Sequence, residues 1–290
     1  MSKTHPAVVC TTFGPYQDVL QIQQIADRNI NEGEIRVKVL SCGLAFPDVL
    51  TLEGKHMFKP QTPYVPGSEV CGEIIEIGEG VDAAEFRLKD KVFGMTSTGG
   101  LQGETILLAN KCYKLPTGVD VNVAGGFELN YGTTYHGLVD LAHLTEGETV
   151  LILGASGGIG MAAIDIAKAH GCTVVACAST AEKLMACEEA GADLCLNYSV
   201  PSTETSPAKH FKQLLRDSEV YGEIDIVFDP IGGKLSEVAM RALGWGGRFI
   251  VIGFASGGAQ PKTAIPRFPI NLALLNERQI IGCFWGAWYV

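Results

Sequence analysis

Residues 154–160 read GASGGIG, between the apolar run TVLIL and the helical pattern MAAIDIAKAHG. Gly154 ends the strand, Gly157 and Gly158 form the turn, and Gly160 begins the helix. That order suits a dinucleotide. One glycine permits the tight turn, a second lets backbone approach a pyrophosphate, and a third allows close helix–strand packing. The helix N-terminus then offers unpaired N–H groups and a positive dipole end to phosphates. The plainer reading is a tight structural turn. A P-loop is excluded, because no Gly-Lys-Ser/Thr follows the glycines.

Which dinucleotide is decided at the tip of the next strand, where NAD sites place an acid for the ribose 2′-OH. This chain reads Ala178-Ser179-Thr180-Ala181-Glu182-Lys183, with no acid at the tip. Small hydroxyls and a lysine suit a 2′-phosphate, which a carboxylate there would repel. Glu182 complicates the reading, but it falls on the helix and can face solvent. Lys183 has a plainer reading too, as a solvated helix lysine. NADPH is the expected cofactor, ahead of NADH.

Around these residues the sequence alternates between strands and helices. Strands are expected at 149–154, 173–179, 193–197, 224–228, 247–253 and 279–285, and helices near 158–170, 181–190, 206–217 and 233–243. Six such strands imply a doubly wound parallel sheet, an α/β Rossmann domain assigned to 123–290. The segment VAGGFELNYGTTYHGLVDLAHL ahead of it has helical spacing. Residues 1–122 are instead β-rich: EIRVKVLSCGL, VCGEIIEIGEG, DKVFGM and GETILLA are short runs punctuated by Gly, Pro and Asp. Such spacing suits a compact barrel.

Composition narrows the field. Hydrophobic residues make up 47% of the 290 and charged residues 19%, enough for a substantial core. No apolar run is long enough to span a membrane, and the N-terminus carries neither a signal-peptide stretch nor an Arg-rich presequence. A cytoplasmic protein is expected, with a mitochondrial location as the alternative. The net charge of −10, without a basic cluster, disfavours nucleic acid. Nine scattered cysteines with no C-x-x-C pair read as buried free thiols rather than a zinc or disulfide framework.

The chain resembles the quinone oxidoreductase (zeta-crystallin-like) branch of the medium-chain dehydrogenase/reductase superfamily. The phrase EGETVLILGASGGIGMAAIDIAKAHG carries most of the likeness, supported by PGSEVCGEIIEIGEGV, NYGTTYHGL, GADLCLNY, FDPIGG, GGRFIVIGFASG and QIIGCFWG. The family usually has Gln where this chain has Asp165. The resemblance implies a GroES-like N-terminal barrel on the catalytic side. It places Ser179 and Lys183 at the 2′-phosphate, Tyr198 near the adenosine, and Gly157, Gly158 and Ile159 at the pyrophosphate. Thr133 would approach the nicotinamide end, and Ile231, Gly253 and Phe254 would line the cofactor crevice. Tyr198 reads equally as a packed loop aromatic.

The zinc-dependent members of the superfamily carry a Cys and a His where this chain has Ala45, in GLAFPD, and Ser68, in PGSE. The four-Cys structural lobe is also missing, so no metal is expected. Without a Lewis acid, substrates already activated by conjugation are favoured, namely quinones or α,β-unsaturated carbonyls. They need positioning, exclusion of water and a donor for the developing oxyanion. Related members have Asn at Ala45 and Tyr at Leu50 and His56, so the donor is open. His56 is one candidate, since imidazoles exchange protons near neutral pH, and a surface-loop histidine is the alternative. Tyr131 and Thr133 are others. Asp48 matches the family, either at the reaction centre or as a turn acid. Phe46, Phe254 and Trp285 could stack on a flat substrate or simply pack.

The family continues past QIIGCFWG with a helix and closing barrel strands, whereas this sequence stops at Tyr289-Val290. A truncated C-terminal tail is therefore expected. The 279–285 strand is apolar on both faces and should sit at the sheet edge, where a two-fold partner would cover it. A homodimer is expected. The leading function is NADPH-dependent, zinc-independent reduction of a quinone or enone. The rival is a non-catalytic NADPH-binding protein, a sensor or crystallin-like structural protein. RNA binding fits poorly with the charge.

Overall fold

The computed structural model describes residues 3–199, 206–257 and 265–288. The expected tail end, Tyr289-Val290, lies outside them. Two compact units emerge, Met1–Leu129 and Asn130–Val290.

The first unit is antiparallel. Strands β1 (Thr4–Cys10) and β2 (Leu20–Ala26) form a hairpin. Strands β3 (Glu34–Gly43), β4 (Glu69–Ile77), β5 (Lys91–Met95), β6 (Glu104–Leu108) and β7 (Cys112–Lys114) form a sheet ordered β6-β3-β4-β5-β7. Single bridges from Ala7 to Gln102 and from Cys10 to Tyr64 link the hairpin to neighbouring loops. Ile35, Val37, Val70, Ile74, Val92 and Leu107 fill the core of this sheet at 2% exposure or less. The hairpin was not anticipated, because its burial alternates too weakly along β2 to leave a period-two apolar pattern.

The second unit carries the parallel sheet. Its strands are β8 (Thr149–Leu153), β9 (Thr173–Ala178), β10 (Leu194–Asn197), β11 (Ile224–Asp229), β12 (Leu243–Val251) and β13 (Gln279–Gly282). They run β10-β9-β8-β11-β12-β13, all parallel, the 3-2-1-4-5-6 order of the doubly wound fold. Helices α5 (Gly158–Ala169), α6 (Ala181–Glu189), α7 (Pro207–Asp217) and α8 (Gly233–Ala242) supply crossovers. Val150 and Ile152 face one core while Leu151 and Leu153 face the other, so both faces of the sheet are buried. That accounts for the continuous apolar runs in the sequence.

Three expectations need correction. The strand expected at 247–253 begins at Leu243, because Leu243 pairs with Ile224 before an irregularity at Ile226. The strand expected at 279–285 stops at Gly282: β12 has ended at Val251, whose carbonyl takes the Cys283 N–H as a last bond. The helical stretch before β8 is broken into α3 (Val121–Ala124), α4 (Glu128–Tyr135) and a π-helical turn at His136–Leu141. There the Ala142 N–H reaches back five residues to the Gly137 carbonyl. Among the described residues no helix is long and apolar enough to cross a membrane.

The first unit also buries two carboxyls together. Glu69 is 2% exposed and Glu128 6%. Glu69 accepts the Leu129 N–H at 3.0 Å, whereas neither Glu128 oxygen has a hydrogen-bond partner. Burial, followed by the charge on Glu69, pushes Glu128 up to about 7. Burial also raises Glu69 to about 7. Folded protein thus holds protons that the unfolded chain releases near 4.5, so stability falls as pH rises from there through 7. Thermal melts should show that decline, and Glu128→Gln should flatten it. The variant should gain roughly 2–3 kcal/mol over the parent at pH 8 and little at pH 5.

Candidate nucleotide-binding site

The order of strands across the sheet reverses between the parallel neighbours β8 and β11, and in such a sheet the loops at the carboxyl ends of those two strands flank a crevice. GASGGIG is the loop leaving β8. Gly154 has φ +62°, and a Cβ there would lie 2.5 Å from Ile231 Cδ1. The position therefore excludes a side chain on both conformation and space. A Cβ on Gly160 would meet the Ala155 carbonyl oxygen at 2.5 Å, so α5 can begin this close to β8 only with glycine there. Gly157 differs. It is exposed, has φ −80°, and a Cβ would find only the Gly154 carbonyl, at 3.5 Å. The exposed backbone at Gly157 and Gly158 leads directly into α5, whose first N–H groups have no carbonyl one turn back. From the α4 side, Thr134 Oγ1 donates to the Ile159 carbonyl at 3.3 Å.

The facing loop is shaped by Asp229, at the end of β11 and 1% exposed. Its Oδ1 accepts the N–H groups of Ile231 at 2.8 Å and Gly232 at 2.9 Å, and Ser236 Oγ donates to Oδ2. Burial raises its pKa, and these three donors oppose the rise. Its carbonyl accepts from Ile252 and Gly253, which brings Ile231, Gly253 and Phe254 to the same edge of the sheet. Sequence reasoning did not single out Asp229. The signal was present in FDPIGG, an Asp followed by Pro and paired glycines at a strand end, where an Asx turn is favoured.

At the tip of β9, Lys183 Nζ donates to Ser179 Oγ at 3.3 Å. Thr180 Oγ1 caps α6 by accepting the Lys183 N–H, and Ser199 Oγ donates to the Ser179 carbonyl. Tyr198 joins through its own N–H to the Ala178 carbonyl, and its ring lies edge-on to Phe211 at 6.4 Å. Burial raises the Tyr198 phenol while a hydrogen bond with Ser179 lowers it. The structure therefore gathers Ser179, Lys183 and Tyr198 into one cluster. Glu182 is exposed on the helix.

The remaining residues divide. Thr133 is 8% exposed, and its carbonyl accepts the Cys283 thiol at 3.6 Å. Tyr131 donates its hydroxyl to Asp165 at 2.8 Å, and burial together with Asp165 pushes the phenol up to about 12. The departure from Gln at residue 165 thus has a partner. In the first unit, Asp48, His56, Phe58, Tyr64 and Ser68 line a pocket of about 80 Å3. Helix α2 (Phe46–Leu52) starts here: Asp48 Oδ2 accepts the Ala45 N–H at 2.8 Å, and Ser68 Oγ donates to Oδ1 at 3.3 Å. Burial raises Asp48, against those two donors. His56 Nδ1 accepts the Phe58 N–H at 3.3 Å, which places the proton of the neutral ring on Nε2. Ala45 offers no side-chain ligand and Ser68 is engaged by Asp48. These two positions do not fit a catalytic zinc.

Two glycine substitutions separate the geometric roles within the loop. Gly154→Ala should destabilise by about 1–3 kcal/mol, through its left-handed φ and the Ile231 contact. Gly157→Ala should change stability by less than about 0.5 kcal/mol. Denaturant melts of the two variants check the contrast.

Comparison with known proteins identifies the family and the fold. Residues 31–138 match the alcohol dehydrogenase GroES-like domain family, and residues 158–290 match the zinc-binding dehydrogenase family. The quinone oxidoreductase-like protein 2 homolog of Nematostella vectensis is 31% identical over 287 residues, covering 98% of this chain and 73% of that protein. Quinone oxidoreductase-like protein 2 of Rattus norvegicus is 32% identical over 286 residues, covering 98% of this chain and 76% of that protein. Among solved structures, a mycobacterial protein complexed with NADPH superposes with a TM-score of 0.82 at 26% identity, covering 97% of this chain and 82% of that one. The chain belongs to the quinone oxidoreductase family of the medium-chain dehydrogenases/reductases.

Proposed function

We propose that the protein is an NADPH-dependent, zinc-independent reductase of quinones or related α,β-unsaturated carbonyls. The observation that carries the cofactor assignment is the Ser179–Lys183 contact at the tip of β9, with no carboxylate at the tip itself. A hydroxyl and an ammonium there match a 2′-phosphate. Gly157 and Gly158 present exposed backbone at the start of α5, with Ile159 following, and so fit a pyrophosphate. Ile231, Gly253 and Phe254 would line the crevice, Tyr198 would meet the adenosine, and Thr133 the nicotinamide end. When bound, NADPH supplies the hydride.

For the substrate, the pocket at Asp48 and His56 offers a polar floor beside exposed Phe46, Met57 and Phe58, a surface suited to a flat apolar ring. His56 Nε2 is the N–H free to serve a developing oxyanion, and Asp48 holds the α2 start that frames it. Tyr131 is a poorer donor, because its hydroxyl is given to Asp165 and its acidity is reduced. Strand β13 is a sheet edge with Ile280 48% exposed, which supports a homodimer formed along it. The rival reading, a non-catalytic NADPH-binding protein, draws on the absence of the family's Asn and Tyr at Ala45 and Leu50.

Fluorescence titration should show NADPH binding more tightly than NADH. Lys183→Ala should weaken NADPH about 10–100-fold and leave NADH nearly unchanged, the loss of one charge-assisted contact. Gly157→Ala should weaken both cofactors while leaving the melt intact. Stopped-flow NADPH oxidation with 9,10-phenanthrenequinone tests the reaction. Turnover reduced at least roughly tenfold in His56→Gln, with NADPH affinity preserved, is expected. Tight NADPH binding without turnover on any quinone or enone would establish the rival instead.

A further inference from the structure

The second residue of β1, the residue after β2 and the first residue of β6 converge on one point of the first unit. They are His5, Asp27 and Glu104, and one ligand atom from each lies within 4.8 Å of the others. All three side chains are largely buried, at 9%, 15% and 14% exposure. None of them lines the pocket at Asp48.

The imidazole is held from both sides, by Gln102 on Nε2 and by Asp27 on Nδ1. Gln102 Nε2 donates to the Gly99 carbonyl at 2.7 Å and to Thr105 Oγ1 at 3.2 Å, which fixes its amide. Its Oε1 therefore faces His5 Nε2, 3.1 Å away, and accepts the Nε2–H. With that proton placed, Nδ1 of the neutral ring is a lone pair, and it lies 2.7 Å from the carboxylate oxygen Asp27 Oδ1. Two lone pairs at that separation need a positive charge between them, a proton or a metal ion. Close by, Glu104 Oε2 is buried with no hydrogen-bond partner. The other Glu104 oxygen contacts the Lys3 ammonium, which is 3.9 Å from Asp27 Oδ2 and on a side chain 64% exposed. The ammonium is thus a cation already resting against the two carboxylates, on a chain free to swing away.

We propose that His5 Nδ1, Asp27 and Glu104 form a site for a divalent transition cation, Zn2+ or a close analogue, that fastens β1 and β2 to β6. An imidazole with two carboxylates is a borderline nitrogen–oxygen donor set, suited to Zn2+ with water completing the tetrahedron. Gln102 performs the outer-shell task seen at metal-bound histidines, taking the far N–H and fixing the tautomer. The ligands sit on or beside paired strands: His5 is paired with Ile25, the Asp27 N–H bonds the Lys3 carbonyl, and Glu104 pairs with Lys38. Entry is open, because Lys3 and Asp27 border a surface groove that continues past Arg28 and Arg36. Binding exchanges the Lys3 ammonium and the Nδ1 proton for the metal, with no redox step.

The test uses the full chain, stripped with a chelator and titrated with Co2+ and Zn2+ under reducing conditions. One equivalent of Co2+ should produce visible ligand-field bands without the near-ultraviolet thiolate-to-cobalt band that the nine cysteines would generate. Zn2+ should displace it and raise the melting temperature. Asp27→Asn and Glu104→Gln should each weaken binding at least roughly tenfold. Gln102→Ala, which leaves every ligand in place, should weaken it about 10–100-fold. Lys3→Met, at an exposed position, should tighten it and guards against reading misfolding as lost affinity. No binding in the parent chain, a thiolate band, or equal affinity in Asp27→Asn and Lys3→Met would overturn the site.

Discussion

The second unit depends on a close approach: α5 must start almost against the end of β8. Gly160 has no room for a methyl group beside the Ala155 carbonyl, and Gly154 has none beside Ile231. The loop after β8 is therefore closed tightly on itself at Gly160 and against the Ile231 side chain of the facing loop at Gly154. Asp229 makes the second loop rigid enough to press on the first, spending both carboxylate oxygens on the turn at 231–236. Opening that crevice by loosening either loop would cost the sheet its packed carboxyl edge. What remains exposed is the backbone at Gly157 and Gly158, of which Gly157 lies outside the packing.

This division separates glycines required by packing from glycines left exposed. Four glycines in seven residues look equivalent in the sequence, yet the structure assigns two of them wholly to packing. Gly158 is intermediate, because a Cβ there would meet Asn130 at 3.0 Å. The same logic applies to Asp48. It stands where a catalytic acid could be sought, but its two oxygens hold the start of α2 and the Ser68 loop. A carboxylate with both oxygens occupied this way is committed to holding the loop ends that meet at Ala45 and Ser68.

Much of the second unit was legible from the sequence because its central strands β8, β9 and β11 are buried on both faces. Continuous apolar runs of Val, Ile and Ala mark it without reference to distant partners. The β8 to α5 turn was equally legible, since glycine spacing is a local property. The β1–β2 hairpin was not: Gln21, Gln23 and Gln24 lie on an exposed strand, and no apolar period remains to be read. Nor was the His5 cluster, whose three residues are drawn together from positions 5, 27 and 104 by strand pairing alone. Glu128 was missed for a related reason. Its helical segment reads as an ordinary amphipathic turn, and only the arrival of Glu69 from β4 makes it a buried carboxyl pair.

Departures from the family pattern gain meaning when their neighbours are read with them. Asp165 replaces the usual Gln on α5, and Tyr131 donates its hydroxyl to it. Ser68 stands where the zinc-dependent relatives carry a ligand, and its hydroxyl is bonded to Asp48 rather than left seeking a metal. In each case the substituted polar group is answered by a hydrogen bond, at exposed Asp165 as at part-buried Ser68. Glu128 differs from these two. Its two oxygens are answered by nothing but a proton, and Glu69 beside it competes for one. A pair so placed lowers stability as pH rises, so retaining it works against the fold at neutral pH. The first unit therefore carries this electrostatic strain at the Glu69–Glu128 pair, while the buried carboxylate of Asp229 in the second unit is fully hydrogen-bonded.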